Sequence, residues 1–391
     1  MKTIFIIWIG KIDLTWGGVQ RIIFILRQYL PRYGYNVQYL YSTDNYQTFH
    51  HQDGKDEERG FDVSKLRQYL IDSNCNLIIG QDAVFSHLLT DLVKKMALPN
   101  VKYVTEYHNS IFLYERTFTK QYFLFQAKKA RLIKDFIINR LKYLTYPFWY
   151  KRIRWRTCAN FLANYQVADA IIVLSSSETR EIEKLIGKRL PKLVAIHNPL
   201  SWEKIEAPSI LDNKRPEVLI VARLYNPEKR IDRALYIWKQ IEQRGYTNWT
   251  LRIVGTGADE SYLRKLAKRL DLKYVRFEGR QASYPYYLTA SIFMMTSAVE
   301  GWGLTLTESM QTATVPIAFD SYPALHDIIT DNYDGCIVHD GDINAYVNKL
   351  EWLMLNSNER KRIALNGLES CKRFIIDNYI DKWVDLLNRL F

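Results

Sequence analysis

Residues 297–310 read SAVEGWGLTLTESM, directly after the apolar run SIFMMTS at 291–297. A run this apolar suits a strand buried on both faces, which is the condition of strands in parallel sheets. The chain then passes a loop holding Gly301 and Gly303 and enters a helical pattern near Thr305. Strand, glycine loop and helix in that order make up half of a βαβ unit. Glu300 and Glu308 frame the turn, with seven residues between them. Thr305-x-x-Glu308 also fits a capping box, in which Thr caps the helix and Glu reaches back to a backbone N–H. Glu300 has no such explanation, because it stands in a glycine-flanked loop where it neither packs nor caps.

The same pattern recurs in both directions. Short apolar runs at 3–9, 36–41, 76–80, 102–107, 170–175 and 193–197 are each followed by a helical pattern, which predicts a doubly wound α/β domain. Residues 198–217, NPLSWEKIEAPSILDNKRPE, interrupt with three prolines and no periodicity, as an interdomain linker does. The pattern restarts at 218–222 and continues at 251–255, 274–278, 292–296, 315–319 and 336–339. Everything from Asn344 onward is helical in pattern. The predicted domains are 1–200 and 201–375, with a last helix over 376–391. Ligands of such sheets sit beyond the carboxyl ends of the strands.

The 391 residues are too many for one ordinary core. Lys plus Arg exceeds Asp plus Glu by 12. Most of the excess lies between Ile111 and Asn160, where twelve Lys or Arg face two acids among thirteen aromatic residues. Cys75, Cys158, Cys336 and Cys371 form no CxxC pair, which points to reduced thiols in a cytoplasmic chain and away from a zinc site. The start MKTIFIIWIGKIDLTWGG resembles a signal peptide. Lys11 and Asp13 follow its short apolar run, however, and no small-x-small site appears, so a first buried strand is expected. No apolar stretch reaches the length needed to span a bilayer.

Chemistry-bearing residues cluster after the strands of the second half. In EVLIVARLYNPEKRIDRAL, Arg223 stands just past a strand end and Lys229 at the approach to a helix. Two such cations neutralise a diphosphate, Arg as a fork and Lys as a point charge, or else they are ordinary surface cations. Gly255 and Gly257 in VGTGADE resemble the start of a dinucleotide fingerprint, but the third glycine is missing. A tight turn without a nucleotide is the expected reading, and a nucleotide-cofactor oxidoreductase is correspondingly disfavoured. At 301–305 the glycines let backbone approach a ligand, and the helix start offers free N–H groups and a positive dipole end to a phosphate. The tripeptide DGD at 340–342 resembles a metal-holding DxD motif, yet its position before INAYVNKL suits Asp342 as a helix cap, so no metal is expected.

The order VARLYNPEKRID, LRIVGTG, VRFEG, SAVEGWGLTLTESM, VPIAFD closely resembles the donor domain of glycosyltransferase family 4, most specifically in Glu300-x7-Glu308. The resemblance covers most of residues 215–350 and, more weakly, the first half. It implies a retaining GT-B enzyme: two Rossmann-like domains with doubly wound parallel sheets facing across a cleft, and a C-terminal helix packing back on the first domain. It further implies that Arg223 and Lys229 hold the donor diphosphate and that Glu300 contacts the transferred sugar. Gly303, Leu304 and Thr305 would lie against phosphate and sugar, Glu308 would bind ribose, and Arg280 would flank the base. By the same resemblance the loop of Gly17 and Gly18 lies against the donor phosphate, and His108, just past a strand in VTEYHNS, is a cleft histidine near the sugar. Two departures stand out. Trp302 replaces the usual Phe, and the Arg-to-Lys spacing is one residue longer than is common. Same-face attack, with the donor phosphate helping to remove the acceptor proton, requires no separate protein base.

The basic aromatic stretch at about 111–160 reads as a helical insertion in the first domain. Lys151, Arg152, Arg154, Trp149 and Trp155 suit contact with anionic lipid, while a packed hairpin with solvated cations is the plainer alternative. Nucleic acid is not an expected partner, although cations among rings serve that role elsewhere. The whole is consistent with a hexosyltransferase peripherally bound to the inner face of the plasma membrane. It would use a nucleotide sugar, a UDP-sugar by expectation, as co-substrate with no resident cofactor, and its acceptor would be lipopolysaccharide, capsule or a lipid-linked glycan. A non-enzymatic membrane or nucleic-acid adaptor remains the alternative that leaves Arg223, Glu300 and Glu308 without a role.

Overall fold

In the computed structural model the chain divides into two units. The structure describes every residue except 11–17, 54–55, 58–59, 82–86 and 131, and leaves aside the side chains of residues 53, 56 and 57. The first unit comprises Met1–Tyr114, Pro147–Pro199 and Ile376–Phe391, and the second Glu115–Tyr146 and Leu200–Ile375. Up to Pro199 the strands are β1 (Lys2–Ile9), β2 (Tyr35–Ser42), β3 (Thr48–Asp53), β4 (Asp56–Glu57), β5 (Phe61–Asp62), β6 (Cys75–Gly80), β7 (Lys102–Glu106), β8 (Ala170–Val173) and β9 (Leu193–Ala195). The helices of this stretch are α1 (Gly18–Tyr29), α2 (Leu66–Asp72), α3 (Leu88–Met96), α4 (Leu113–Thr117), α5 (Lys120–Lys129), α6 (Ile133–Leu144), α7 (Tyr146–Val167) and α8 (Ser176–Ile186).

The first sheet runs β4-β3-β2-β1-β6-β7-β8-β9, with β5 paired to β3. From β2 to β9 its strands are parallel, and β3 to β5 add an antiparallel edge. Period-2 alternation sends Phe5, Ile7, Ile78 and Ile171 to one apolar layer with Leu66 and Ile182. Ile4, Ile6, Ile79 and Ile172 go to the other, with Ile22 and Leu26. The edge hairpin escaped the sequence reading because TFHHQD has no apolar alternation for an antiparallel strand to show.

Beyond the linker the strands are β10 (Arg215–Val221), β11 (Thr250–Val254), β12 (Val275–Gly279), β13 (Ala290–Met295), β14 (Val315–Asp320) and β15 (Cys336–His339). Between and after them come α9 (Asn226–Lys229), α10 (Ile231–Gln243), α11 (Glu260–Arg269), α12 (Tyr284–Thr289), α13 (Leu304–Gln311), α14 (Leu325–Ile328), α15 (Ile343–Leu355), α16 (Ser357–Ser370) and α17 (Ile376–Leu390). This sheet runs β12-β11-β10-β13-β14-β15, all parallel, so its strand order reverses between β10 and β13. At such a switch point the connections leave to opposite faces and open a crevice at the strands' carboxyl ends. Every strand expected from the sequence is present, with ends moved by a few residues.

Two glycines here answer the fingerprint question. A Cβ on Gly255 (φ +133°) would lie 2.0 Å from the Ala222 carbonyl oxygen, and one on Gly257 would lie 2.5 Å from that of Leu224. The loops after β10 and β11 run against each other, joined by Leu224 N–H donating to Thr256 O at 2.9 Å. Glycine is needed there because backbone meets backbone.

The helical insertion does not belong wholly to the first unit, as the sequence reading had it. Residues 115–146 count with the second unit. Phe125 packs edge-on against Tyr262 at 5.0 Å, Arg116 donates to Ser321 O at 2.6 Å, and Lys129 pairs with buried Asp259. A charge and an aromatic edge each find partners there that a linear pattern does not name.

Helix α17 lies in the first unit although its sequence follows the second. Its Tyr379, Ile380, Trp383, Leu386 and Leu387 are buried in the layer of Ile4, Ile6 and α1. Trp383 is fully buried, so Trp383→Ala is expected to destabilise the first unit by about 3–5 kcal/mol. Urea unfolding followed by intrinsic fluorescence and circular dichroism measures this, and a loss under 1 kcal/mol would contradict the packing.

Candidate functional site

The ends of β10 and β13 are stitched to each other. Thr296, the first residue after β13, donates its hydroxyl to the carbonyls of Lys229 at 3.0 Å and Arg230 at 3.1 Å. Ala298 N–H donates to Glu228 O at 2.6 Å. Short α9 and the glycine loop are thereby held side by side. Lys229 Nζ then donates to both oxygens of Glu300, at 2.6 and 2.7 Å, and Ser297 Oγ donates to Glu300 Oε1 at 2.6 Å. Both charged side chains are largely buried, at 17% and 15% exposure.

Arg223 does not join this pair. Its Nη2 donates to Glu228 Oε2 at 2.6 Å, the guanidinium stays two-thirds exposed, and its centre is 5.8 Å from the Tyr225 ring. An exposed pair of this kind is solvent-screened and contributes little to stability, which leaves the guanidinium free to change partner.

Helix α13 begins at Leu304, one residue before the expected start. Its cap is Gly303 at φ +97°, and no side chain caps it. A Cβ on Gly303 would stand 2.6 Å from the Tyr322 hydroxyl, so both conformation and space require glycine. The capping box does not form. Glu308 is 7% exposed and accepts a hydrogen bond from Ser201 Oγ at 2.6 Å, while buried Tyr287 faces the same carboxylate. A glycine cap leaves the amides of Leu304 and Thr305 without an acceptor from the helix itself. Trp302 is 3% exposed and packs edge-on against Phe374 at 5.2 Å, so the larger ring fills the floor beneath the loop.

Residues 202–370 match the family described as Glycosyl transferases group 1. They form a glycosyl transferases group 1 domain. An uncharacterized glycosyltransferase of Haemophilus influenzae is 28% identical over 235 residues, covering 59% of this chain and 64% of that one. The Campylobacter jejuni alpha-1,4-N-acetyl-D-galactosaminyltransferase that acts on GalNAc-alpha-(1->4)-GalNAc-alpha-(1->3)-diNAcBac-PP-undecaprenol is 30% identical over 229 residues, covering 57% and 61%. The chain thus spans under two thirds of the length of these relatives. Anabaena HepE in complex with UDP is 16% identical with a TM-score of 0.68 over the whole of both chains. That likeness bears on the fold, which is GT-B.

Within the group 1 domain the structure unites Lys229, Glu300, Gly303, Leu304 and Thr305 around one strand-end loop pair, with Arg223 beside them. Arg280 is exposed directly after Gly279 (φ +70°), beyond β12. The DGD tripeptide is already engaged. Asp340 accepts from Arg230 at 2.7 Å and Arg233 at 3.3 Å, and Asp342 caps α15 through Ala345 N–H at 2.8 Å. In the first unit, Gly18 opens α1 and Gly17 lies outside the described residues. His108 is half-buried just past β7, its side chain 5% exposed and its Nε2 against Gln81 Oε1. The patch residues Lys151, Arg152, Arg154 and Trp155 are exposed on α7 and Trp149 is half-buried.

Sequence reasoning missed Ser297, Ser201 and Asp259. Ser297 stands at the strand end itself and was legible there. Ser201 lies 107 residues from Glu308 and carries no local signal. Asp259 accepts Asn226 N–H at 2.8 Å and so fixes the start of α9.

Lys229→Met leaves the Glu300 carboxylate buried with Ser297 as its remaining hydrogen-bond donor here. The expected loss of stability is about 1–3 kcal/mol. The double variant Lys229→Met/Glu300→Gln should recover part of it in a double-mutant cycle measured by urea unfolding. Strictly additive losses would show that the two groups do not interact.

Proposed function

We propose that the protein is a retaining, metal-independent glycosyltransferase that moves a hexose from a nucleotide sugar, with a UDP-sugar favoured, to a membrane-surface glycan. The acceptor class is lipopolysaccharide, capsule or a lipid-linked oligosaccharide. The Lys229–Glu300 pair at the switch point carries the reading, because it joins a cation for phosphate to a carboxylate for sugar hydroxyls. An ammonium has three N–H donors. Glu300 takes two of them, which leaves the third for a donor phosphate oxygen. The exposed Arg223 gives up its partner Glu228 and adds a fork to the same diphosphate. The amides of Leu304 and Thr305 supply further donors at the helix start. As the bond from the sugar anomeric carbon to phosphate breaks, charge grows on the leaving diphosphate, where these groups act. The acceptor oxygen bonds to the same face, and its proton passes to a departing phosphate oxygen. Glu308 in this reading binds ribose, and its Ser201 bond orients it. The names of relatives that act on a polyprenyl-linked glycan or bind UDP support the substrate classes.

The reading places the protein on the inner face of the plasma membrane, with the apolar face of α6, in the second unit, as a further lipid contact. Among the described residues no helix is long and apolar enough to cross a membrane. Helix α6 has no buried residue, and Ile133, Phe136, Ile137, Leu141 and Leu144 are 79%, 48%, 57%, 58% and 69% exposed. Their spacing puts them on one face. The polar side is turned inward instead. Lys142 Nζ lies 5.7 Å from the Phe123 ring of α5, and Lys120 of α5 lies 4.9 Å from the Tyr143 ring. Exposed Arg140 stands within this stripe and exposed Lys134 at its edge. An outward apolar stripe that carries cations matches the boundary of an anionic bilayer.

Purified protein incubated with UDP- and GDP-sugars should release nucleotide. Arg223→Ala and Glu300→Ala should each lower kcat at least about 100-fold with unchanged circular dichroism. Silence with every nucleotide sugar, together with thermal protection by NADH, would overturn the transferase. Ile137→Glu/Leu141→Glu should move the protein from phosphatidylglycerol vesicles to the supernatant on flotation, and charge reversal at Lys151, Arg152 and Arg154 should weaken binding further. Unchanged partitioning of both variants would remove the membrane contact.

A further inference from the structure

Residues 115–146 belong to the second unit, yet among the described residues none of them enters an apolar core cluster. They are tied instead to the loops at the carboxyl ends of the second sheet, where Lys229 and Glu300 stand. Arg116 of α4 donates to Ser321 O at 2.6 Å, just past β14. Lys129, the last residue of α5, pairs with Asp259 in the loop past β11. Between these ties, Phe125 stands edge-on to Tyr262 at 5.0 Å.

Two hydrogen-bonded relays lead from the ties to the Lys229–Glu300 pair. In the first, Asp259 is 2% exposed, and its Oδ2 accepts Asn226 N–H at 2.8 Å. Asn226 opens α9, a single turn with no side-chain cap, and so short a helix does not hold itself. The Asn226 carbonyl accepts Arg230 N–H at 2.8 Å, and its Oδ1 accepts Asp232 N–H at 2.9 Å. Fixing Asn226 therefore fixes the turn that ends in Lys229. A buried carboxylate in turn needs a counter-charge, which Lys129 supplies to Asp259. In the second relay, Ser321 Oγ donates to Ser297 O at 2.7 Å, and Ser297 Oγ donates to Glu300 Oε1 at 2.6 Å. Thr296 and Ala298 join the two loops to each other, whereas the relays join both loops to a third element.

We propose that Arg116 and Lys129 are positioning residues of the donor site. Lys129 holds Lys229 through Asp259 and α9, and Arg116 holds Glu300 through Ser321 and Ser297. The proposal rests on the transferase reading for its effect on turnover, while the brace itself stands on the hydrogen bonds alone. Neither residue touches substrate in this role. Each sets where the phosphate-binding cation or the sugar-binding carboxylate stands, and a displacement of about 1 Å at such a group lowers rate on the order of 100-fold.

Hydrogen exchange of the full-length protein, read by mass spectrometry on peptides of the two loops, tests the brace without any substrate. Lys129→Met should speed exchange over residues 224–230, and Arg116→Met over residues 297–304. Each change should be about tenfold, the loss of one such hydrogen bond, with β10 and β13 as protected as in the wild type. Lys129→Arg and Arg116→Lys keep a charge and a donor and should restore protection. If Lys129→Met does not fold, Lys129→Gln takes its place, with the same expectation. Wild-type exchange in both loops of the Met variants overturns the proposal. Faster exchange spread evenly over the second sheet also overturns it, because that marks general loosening. With UDP-sugars, each Met variant should lower kcat about tenfold or more, and the conservative variants should recover it. Loosened loops with wild-type kcat overturn the functional half. A wild type that releases no nucleotide from any nucleotide sugar, alongside the loop-specific exchange, counts against the transferase reading and leaves the brace in place.

Discussion

The site of the second unit depends on a constraint of backbone topology: two neighbouring strands whose connections leave in opposite directions. The reversal between β10 and β13 opens their carboxyl ends, and Thr296 and Ala298 then lace the two loops together through the carbonyls of Glu228, Lys229 and Arg230. Lys229 and Glu300, 71 residues apart in sequence, meet as a consequence. The pair is mostly out of water, where its attraction is less screened and an unpaired survivor would be costly.

Glycine has a different purpose at each place it matters. At Gly255 and Gly257 it lets two chain segments touch, and the resemblance to a nucleotide fingerprint is a by-product of that packing. At Gly303 it allows a positive φ and makes room for the Tyr322 hydroxyl, which starts α13 without a side-chain cap. The same residue type therefore closes one loop against its neighbour and leaves the amides of the other uncapped. Glu308, freed from capping, turns to Ser201.

The first unit shows a comparable economy. Its sheet separates two apolar layers by simple alternation, yet at the carboxyl ends of β6 and β7 the apolar rule gives way to Gln81, Glu106 and His108. Buried polar groups in a chain are retained where they are satisfied or where they act. Helix α6 breaks the rule in the opposite sense, with its apolar face outward. The second departure coincides with the place where the protein is proposed to meet a membrane.

The sequence by itself determined the parallel strands of both sheets, though not the antiparallel β3–β5 edge, and the strand-end loops that carry Arg223, Lys229, Glu300 and His108. It could do so because apolar runs, glycine loops and helical periodicity are local properties of the chain. It also singled out Glu300, since a carboxylate in a glycine loop has no local work to do. Tertiary structure alone decided which residues meet. It paired Lys229 with Glu300 and left Arg223 with Glu228, and it denied Glu308 its expected cap. It also moved residues 115–146 to the second unit and set Gln81 between Glu106 and His108. Partners so far apart in sequence are chosen by strand order and burial, and neither leaves a periodic mark on the residues themselves.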